Sequence, residues 1–232
     1  MFEIANSNNP QKLLVKLRAE SSFFSLKGFY PLDKNAKALV GGVSATVVGV
    51  SSFPDGYSSH LSPNNHIVID SSFDITTAFT VGISFRQVGP AANILRSNDA
   101  NAFHTLVGSM EHEISIYADG SDEMVRLRNG VVVDNIRYAG NTGLAGLFLL
   151  NGAWHNVALV YNGAWNHSKV YANGVYAGSI PAVPGTPTLA PFLLGTFDKI
   201  EYSNNAYMRN FRVYNRDLTA AEIQQIHTVR PN

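Results

Sequence analysis

The sequence predicts an all-β protein: a sandwich of two antiparallel sheets, with an N-terminal arm and a short C-terminal helix. Three observations support this prediction. Short segments of alternating apolar and polar residues, divided by turn signals, recur from Leu26 onward, as expected for two packed sheets. The pair Asn173-Gly174 stands between two such segments and favours a tight hairpin. The 232 residues are 45% hydrophobic, which is enough for one substantial core.

The first 25 residues differ from the rest of the chain. An Asn-rich opening is followed by Leu13, Leu14 and Leu17, whose spacing is helical. We interpret residues 1–25 as an arm for docking or oligomerisation, and residues 26–232 as one β-sandwich domain. The alternative is that the arm is an extra strand or helix packed on the sandwich.

Two segments show how strands face the core. One has four large apolar residues at alternate positions, namely Phe79, Val81, Ile83 and Phe85. This alternation places one face of the strand in the core. In residues 154–161 both alternating sets are largely apolar, so we expect that strand to be buried on both faces.

Repeated Asn-Gly pairs mark the turns. Besides Asn173-Gly174 they are Asn129-Gly130, Asn151-Gly152 and Asn162-Gly163. Their short spacing predicts meandering antiparallel strands.

The C-terminal helix is predicted from a capping box. Thr219 can cap the amide three residues on, while the side chain of Glu222 reaches back, and Leu218 and Ile223 stand at the positions of a hydrophobic staple. We expect the helix to end near His227.

Several motifs occur together in one known family: a Trp-His strand, a Tyr-X-Asn-Gly hairpin, a Leu-Gly strand, and a closing strand that runs into the helix. Here they are Trp154-His155, Tyr171-Ala-Asn-Gly174, Leu193-Leu-Gly195 and Val213-Tyr-Asn-Arg-Asp-Leu-Thr-Ala-Ala-Glu-Ile223, with looser matches at Gly28-Phe-Tyr-Pro-Leu-Asp33, Asp55-Gly56 and Phe79-Thr-Val-Gly82. On these residues the chain resembles the laminin-G-like branch of the concanavalin A-like lectin and glucanase superfamily, over about residues 26–227. The resemblance implies a concanavalin A-like jelly roll. It leaves the ligand open, because the superfamily includes lectins, adhesion modules, capsid and tail proteins, and glucanases.

Composition narrows the classes of partner. Lys+Arg and Asp+Glu both number 17, so no net field attracts nucleic acid or an anionic membrane. The chain has no cysteine, which excludes disulfides and thiolate metal sites. No apolar run is long enough for membrane insertion, and residues 1–10 lack the pattern of an export signal. We therefore expect a virion-surface location, or an extracellular one if an export signal has been removed.

Catalysis is not expected. The glucanases of the superfamily carry a strand motif of three acidic residues that projects a nucleophile and an acid on one face. In a glucanase that retains the anomeric configuration, these two carboxyl groups lie about 5 to 5.5 Å apart. The nearest stretch has Glu111 and Glu113, but Ile116 stands where the third acid belongs. The alternative reading of these glutamates is the solvated edge of a strand.

A calcium site is a weaker expectation, since no cofactor is required by the fold. Many laminin-G-like modules hold calcium in rim loops through Asp and Asn oxygens, which suit this hard cation. The richest local cluster comprises Asp119, Asp122 and Glu123. A simple turn at Asp119-Gly120 explains the same residues without a metal.

Glycan recognition needs an exposed aromatic face and polar groups for the hydroxyls. Two loop segments have both: Trp165 with Asn166 and His167, and Tyr202 with Glu201, Asn204 and Asn205. The alternative is that Trp165 covers the core and the amides only satisfy turns.

These observations predict a non-catalytic, lectin-like recognition module. We expect it to lie on the surface of a virion, in particular that of a bacteriophage, and to bind glycan on the surface of a cell. The alternative is a structural protein that decorates or cements a capsid or tail. In either case neighbouring virion proteins would be bound through residues 1–25, and a homo-oligomer is compatible with both. A glycoside hydrolase is the weaker alternative.

Overall fold

The computed structural model describes residues 25–32, 35–41, 45–49, 66–69, 77–87, 91–98, 112–119, 122–129, 132–137, 153–162, 167–181, 192–194 and 206–228. In this part of the chain the strands are β1 (Leu26–Tyr30), β2 (Ala45–Val48), β3 (His66–Ile69), β4 (Ala78–Gln87), β5 (Ala91–Asn98), β6 (His112–Asp119), β7 (Asp122–Asn129), β8 (Val132–Arg137), β9 (His155–Asn162), β10 (His167–Ala172), β11 (Val175–Pro181), β12 (Phe192–Leu194) and β13 (Ala206–Tyr214), and the helix is α1 (Ala220–Thr228).

The strands form two antiparallel sheets. The six-stranded sheet has the order β1-β13-β4-β9-β10-β11, and the seven-stranded sheet has the order β2-β3-β12-β5-β6-β7-β8. Both sheets contain strands from the N-terminal and the C-terminal half of the sequence. Neither half could therefore form either complete sheet alone. The predicted two-sheet sandwich with a short C-terminal helix is confirmed.

The hairpins follow the turn signals. Asn173 and Gly174 connect β10 to β11 with φ angles of 51° and 82°, the positive values that a type I′ turn requires. β5 to β8 and β9 to β11 pair in chain order, which confirms the meander. Asn129 at the end of β7 pairs with Val132 at the start of β8, which confirms the hairpin predicted around Asn129-Gly130. Asn151-Gly152 lies outside the described residues.

The main core lies between the sheets. It contains the predicted apolar face of β4 together with residues of the opposite sheet, among them Ile67, Ile69, Phe192 and Leu194. Phe211 on β13 contacts Phe192 on β12 with ring centroids 5.0 Å apart, and thereby joins the two sheets. β9 is buried on both faces, as expected from its sequence.

A second apolar cluster covers the outer face of the six-stranded sheet, the face turned away from the other sheet. Three apolar side chains pack against Ala158 and Val160 of β9: Leu218 just before α1, and Ile223 and Ile226 within it. The Nη1 group of the buried Arg212 donates a hydrogen bond to the carbonyl oxygen of Ile226 at 3.3 Å, close to the C-terminal end of the helix, where a cation is favourable. The helix is thus held by apolar packing and by one buried guanidinium.

The capping box forms as predicted. The Glu222 amide donates to Thr219 Oγ1 at 3.3 Å, and the Thr219 amide donates to Glu222 Oε2 at 2.9 Å. Arg216 also donates to both carboxylate oxygens of Glu222, an arrangement that the sequence pattern did not indicate. Leu218 and Ile223 lie in the same apolar cluster, as a hydrophobic staple requires.

Replacing Glu222 with glutamine is expected to lower the free energy of unfolding by about 1–2 kcal/mol at pH 7. The hydrogen bonds from Arg216 are the main cause that lowers the pKa of Glu222 to about 2, and those from Thr219 add to it against the opposing effect of partial burial. Because the folded-state pKa lies below the unfolded value of 4.5, this stability is fully present above pH 4.5 and is lost as the pH falls toward 2.

Urea unfolding of E222Q and the unmodified protein at several pH values between 7 and 2 measures this effect. The difference in the free energy of unfolding between E222Q and the unmodified protein should become smaller as the pH falls. Gln224→Ala, an exposed position on α1, is the control and should change stability by less than about 0.5 kcal/mol. A difference that does not depend on pH would contradict the assigned role of the carboxylate.

The arm proposed for residues 1–25 lies outside the described residues except for Ser25. The Asn215 amide donates to the Ser25 carbonyl at 2.9 Å, and Arg216 Nε donates to Ser25 Oγ at 3.1 Å. The division at residue 25 stays a prediction. Within the described residues, no helix has both the length and the apolar character needed to cross a membrane.

Candidate functional site

The two segments predicted to bind glycan attach at opposite ends of the six-stranded sheet. The Trp165 segment follows Asn162, which pairs with Ala78 at one end of β4. The Tyr202 segment leads into β13, whose first residue pairs with Gln87 at the other end. The ten residues of β4 separate these attachment points by roughly 30 Å. The described residues that flank the two segments are therefore far apart in the sheet.

Most of the predicted glycan residues lie outside the described part of the chain. These are Trp165, Asn166, Glu201, Tyr202, Asn204 and Asn205. His167 is the first residue of β10 and pairs with Pro181. Their role in binding stays a prediction.

The residues considered for calcium lie on the β6–β7 hairpin. Asp119 pairs with Asp122, and Ala118 pairs with Glu123, so only two residues connect the strands. This arrangement agrees with the turn expected at Asp119-Gly120. In the part of the chain that the structure describes, no three His, Asp or Glu side chains are grouped so as to hold a metal ion. The calcium site stays a prediction.

The acidic motif considered for catalysis falls partly on β6. Glu113 pairs with Arg128 and Ile116 pairs with Val125 across the β6–β7 ladder. Glu111 lies outside the described residues.

Among the residues that the structure describes, a different group forms a polar surface. β13, β4 and β9 are neighbours, and their register places Tyr207 opposite Arg86, and Arg209 opposite Ser84. Trp154 immediately precedes β9, on the other side of Arg86. We call Arg86, Trp154, Tyr207 and Arg209 the Arg–aromatic cluster.

The cluster lies on the outer face of the sheet. Phe85 and Met208 belong to the core between the sheets. Because successive residues of a strand point to opposite faces, Arg86, Tyr207 and Arg209 point away from that core. All four members of the cluster are half-buried, so part of each side chain remains open to solvent.

Cation–π contacts hold the cluster together. The guanidinium carbon of Arg86 lies 4.7 Å from the ring centroid of Tyr207 and 5.5 Å from that of Trp154. The guanidinium carbon of Arg209 lies 4.4 Å from the Trp154 centroid. Contacts of this kind contribute about 0.5–2 kcal/mol each and orient the flexible arginines.

A polar network fixes the backbone beside the cluster. The backbone N–H of Asn156 donates to the side-chain Oδ1 of Asn173 at 2.9 Å. The backbone N–H of Asn173 donates to the backbone carbonyl oxygen of Asn156 at 2.7 Å. Asn156 Nδ2 donates to Ser84 Oγ at 2.9 Å, and Asn173 Nδ2 lies 3.2 Å from His155 Nδ1. His155 is buried. The start of β9, next to Trp154, is therefore tied to the β10–β11 turn.

The arrangement is suited to binding a sugar. Aromatic rings offer apolar faces to a pyranose, and guanidinium N–H groups donate to its oxygens. A cleft between α1 and the sheet, bordered by Asn156, Asn210 and Arg212, encloses only about 10 Å³, which suffices for one water and not for a sugar. The cluster is the better candidate site.

Sequence reasoning missed this cluster for a clear reason. Alternation in β4 already places Arg86 on the face opposite Phe85, and the same rule separates Tyr207 and Arg209 from Met208. No local signal shows which outward residues become neighbours, because the cluster joins segments far apart in the sequence. Only the register of the sheet supplies that information.

Comparison with known proteins identifies the class of domain. A laminin-G-type family model, described as the concanavalin A-like lectin/glucanases superfamily, matches residues 55–224. A search of curated proteins finds no significant match.

Solved structures share the fold at low sequence identity. Domain 4 of an extracellular GH43 arabinanase from Geobacillus stearothermophilus, in complex with arabinotriose, is 18% identical with a TM-score of 0.64, and the alignment covers 88% of this chain and 98% of that domain. The receptor binding domain of botulinum neurotoxin C/D mosaic serotype is 12% identical with a TM-score of 0.65, covering 88% of this chain and 51% of the other. The binding domain of botulinum neurotoxin DC, in complex with rat synaptotagmin II, is 15% identical with a TM-score of 0.66, covering 90% and 53%. The chain thus spans about half the length of the neurotoxin domains, and these likenesses show the fold alone.

Proposed function

The chain belongs to the laminin-G-like family of the concanavalin A-like lectin/glucanases superfamily, and on this basis we propose that it is a non-catalytic module that recognises cell-surface glycan. The observation that carries the proposal is the Arg–aromatic cluster, which combines two half-buried aromatic rings with two oriented guanidiniums. This is the combination of groups that sugar recognition needs.

Two further points support the proposal. The arabinanase domain, which shares the fold over nearly its whole length, is in complex with a sugar, arabinotriose. In addition, Ile116 interrupts the acidic triplet that a glucanase of this superfamily would need. The proposal is therefore one of binding without cleavage.

The test is a glycan array with the labelled protein and two variants, Trp154→Ala and Tyr207→Ala. We expect the unmodified protein to retain a defined set of glycans, and each variant to bind them about tenfold more weakly, since buried aromatic contacts at binding sites are typically worth more than 1 kcal/mol. Tyr176→Ala is the matched control: Tyr176 lies on β11 of the same sheet, is 53% exposed, and lies outside the cluster. Thermal unfolding of each variant confirms that it is folded.

The outcomes separate the site from the function. An array on which the unmodified protein retains no glycan would overturn the proposed function. Binding that survives both cluster variants but is lost in Trp165→Ala or Tyr202→Ala would retain the function and move the site to the segments predicted from sequence.

We further propose that this module is displayed on the surface of a virion, in particular that of a bacteriophage, and that residues 1–25 attach it there. Cryo-electron microscopy of particles that contain the protein tests this placement. Density at a tail tip or on projecting fibres agrees with glycan receptor binding. Density tiled over capsomer junctions would instead assign the protein to capsid decoration, in which its loops bind neighbouring subunits.

A further inference from the structure

The Arg–aromatic cluster brings two positive charges to one aromatic ring. Arg86 on β4 and Arg209 on β13 both have their guanidinium carbon within 5.5 Å of the Trp154 centroid. Their strands are hydrogen-bonded neighbours, so a rigid sheet fixes the distance between the two side chains. The two guanidiniums therefore lie close together over one ring on the outer face of the sheet.

The arginines are oriented before any ligand arrives. The Arg86 guanidinium contacts the ring of Tyr207 on β13 and the ring of Trp154 just before β9, and these two strands flank β4. Half-burial and ring contacts restrict the rotamers of a side chain that is otherwise flexible. Binding an anion here costs less side-chain entropy than binding it to arginines on an open surface.

The donor and acceptor character of the cluster selects the ligand. A guanidinium has five N–H donors and no acceptor. A sugar hydroxyl both donates and accepts, so two guanidiniums satisfy it only in part. An ionised carboxylate accepts hydrogen bonds without donating any, and its planar shape fits the guanidinium fork.

We propose that the sugar recognised by the Arg–aromatic cluster carries a carboxylate, as uronic and sialic acids do; this inference rests on the glycan-binding function proposed above. Trp154 and Tyr207 contact the apolar face of the ring. Arg86 and Arg209 bind its carboxylate and determine the preference for the acidic sugar.

The first experiment compares matched sugars on the unmodified protein by isothermal titration calorimetry. The pairs are sialyllactose with lactose, and an oligogalacturonide with its methyl-esterified form. We expect the acidic member of at least one pair to bind at least tenfold more tightly at low ionic strength. That advantage should shrink when the salt is raised to about 1 M, because the Debye length then falls to about 3 Å.

The second experiment assigns the preference to the arginines. Arg86→Gln and Arg209→Gln should each weaken binding of the acidic sugar about tenfold more than they weaken binding of its neutral partner. Arg86→Lys keeps the charge but loses the fork, so it should restore only part of the preference. Lys37→Gln, which removes an exposed cation outside the cluster, should change neither affinity.

Failure of the inference and failure of the proposed function are distinguishable. Tight binding of neutral sugars, with no advantage for the acidic partners, would overturn the carboxylate preference and leave glycan recognition standing. A preference that persists unchanged in both glutamine variants would also overturn the assignment. No binding to any glycan on the array would overturn both. If a glutamine variant fails to fold, the matched pairs and their salt dependence on the unmodified protein still decide the preference.

Discussion

Replacing Phe211 with alanine is expected to lower the free energy of unfolding by about 3–5 kcal/mol. The Phe211 side chain is fully buried and links the two sheets: its ring meets Phe192 of the seven-stranded sheet edge-on at 5.0 Å, and Tyr30 of β1 at 5.9 Å. Truncation removes these contacts and leaves a cavity between backbones that both sheets hold in place. The loss therefore exceeds the transfer free energy of the missing ring.

Urea unfolding followed by fluorescence measures the effect, with the slope of the transition checked for two-state behaviour. Phe211→Leu retains most of the volume and should cost clearly less than the alanine variant. Tyr176→Ala removes a half-exposed aromatic residue whose ring meets only Tyr171 edge-on among the described ring contacts, and it should cost no more than about 1.5 kcal/mol. A loss below 1 kcal/mol for Phe211→Ala would show that the sheets are not joined through this ring.

Replacing Gly41 with alanine is expected to lower the free energy of unfolding by about 2–5 kcal/mol. Gly41 has a φ of 100°, which alanine adopts only with strain. An added Cβ atom would lie 2.2 Å from the Lys27 carbonyl oxygen and 3.3 Å from Gly28 Cα. Both are backbone atoms of β1, and a rotamer change cannot move them away.

The segment that precedes Gly41 depends on the close approach of Gly41 to β1. The preceding segment pairs with β1 through hydrogen bonds from the Phe29 amide to the Val40 carbonyl at 3.2 Å and from the Leu39 amide to the Phe29 carbonyl at 2.8 Å. Displacement of Gly41 should weaken this bridge, and hydrogen exchange of the Leu39 amide should become faster.

Gly82→Ala provides the matched control for Gly41→Ala. At Gly82 a Cβ atom would meet its nearest neighbours, the Val157 carbonyl oxygen and Ala158 Cβ, at 3.6 and 3.8 Å, which are ordinary contact distances. We expect this variant to change the stability by less than about 1 kcal/mol. Equal losses at the two positions would refute the steric explanation for Gly41.

Local signals predicted the secondary structure well. The Asn173-Gly174 hairpin, the core face of β4, the burial of both faces of β9, and the Thr219–Glu222 capping box all follow from interactions between residues within a few positions of one another. Such interactions depend on backbone conformation and on side-chain periodicity, which the order of residues specifies directly.

Other features required the folded chain. Sequence did not indicate the close approach of Gly41 to β1, because the atoms it meets belong to Lys27 and Gly28. Nor did it indicate that Arg216 would bind Glu222 or that Arg212 would reach the end of α1. In each case the partner is chosen by how elements pack and not by their own pattern.

The candidate site shows the same division. Sequence patterns alone were enough to predict an all-β sandwich of the concanavalin A-like type and an outward direction for Arg86. The contacts that join Arg86, Trp154, Tyr207 and Arg209 became visible only in the folded sheet. The physical reason is that strand periodicity assigns each residue to a face, whereas the register between strands distant in sequence is determined by how the whole sheet packs.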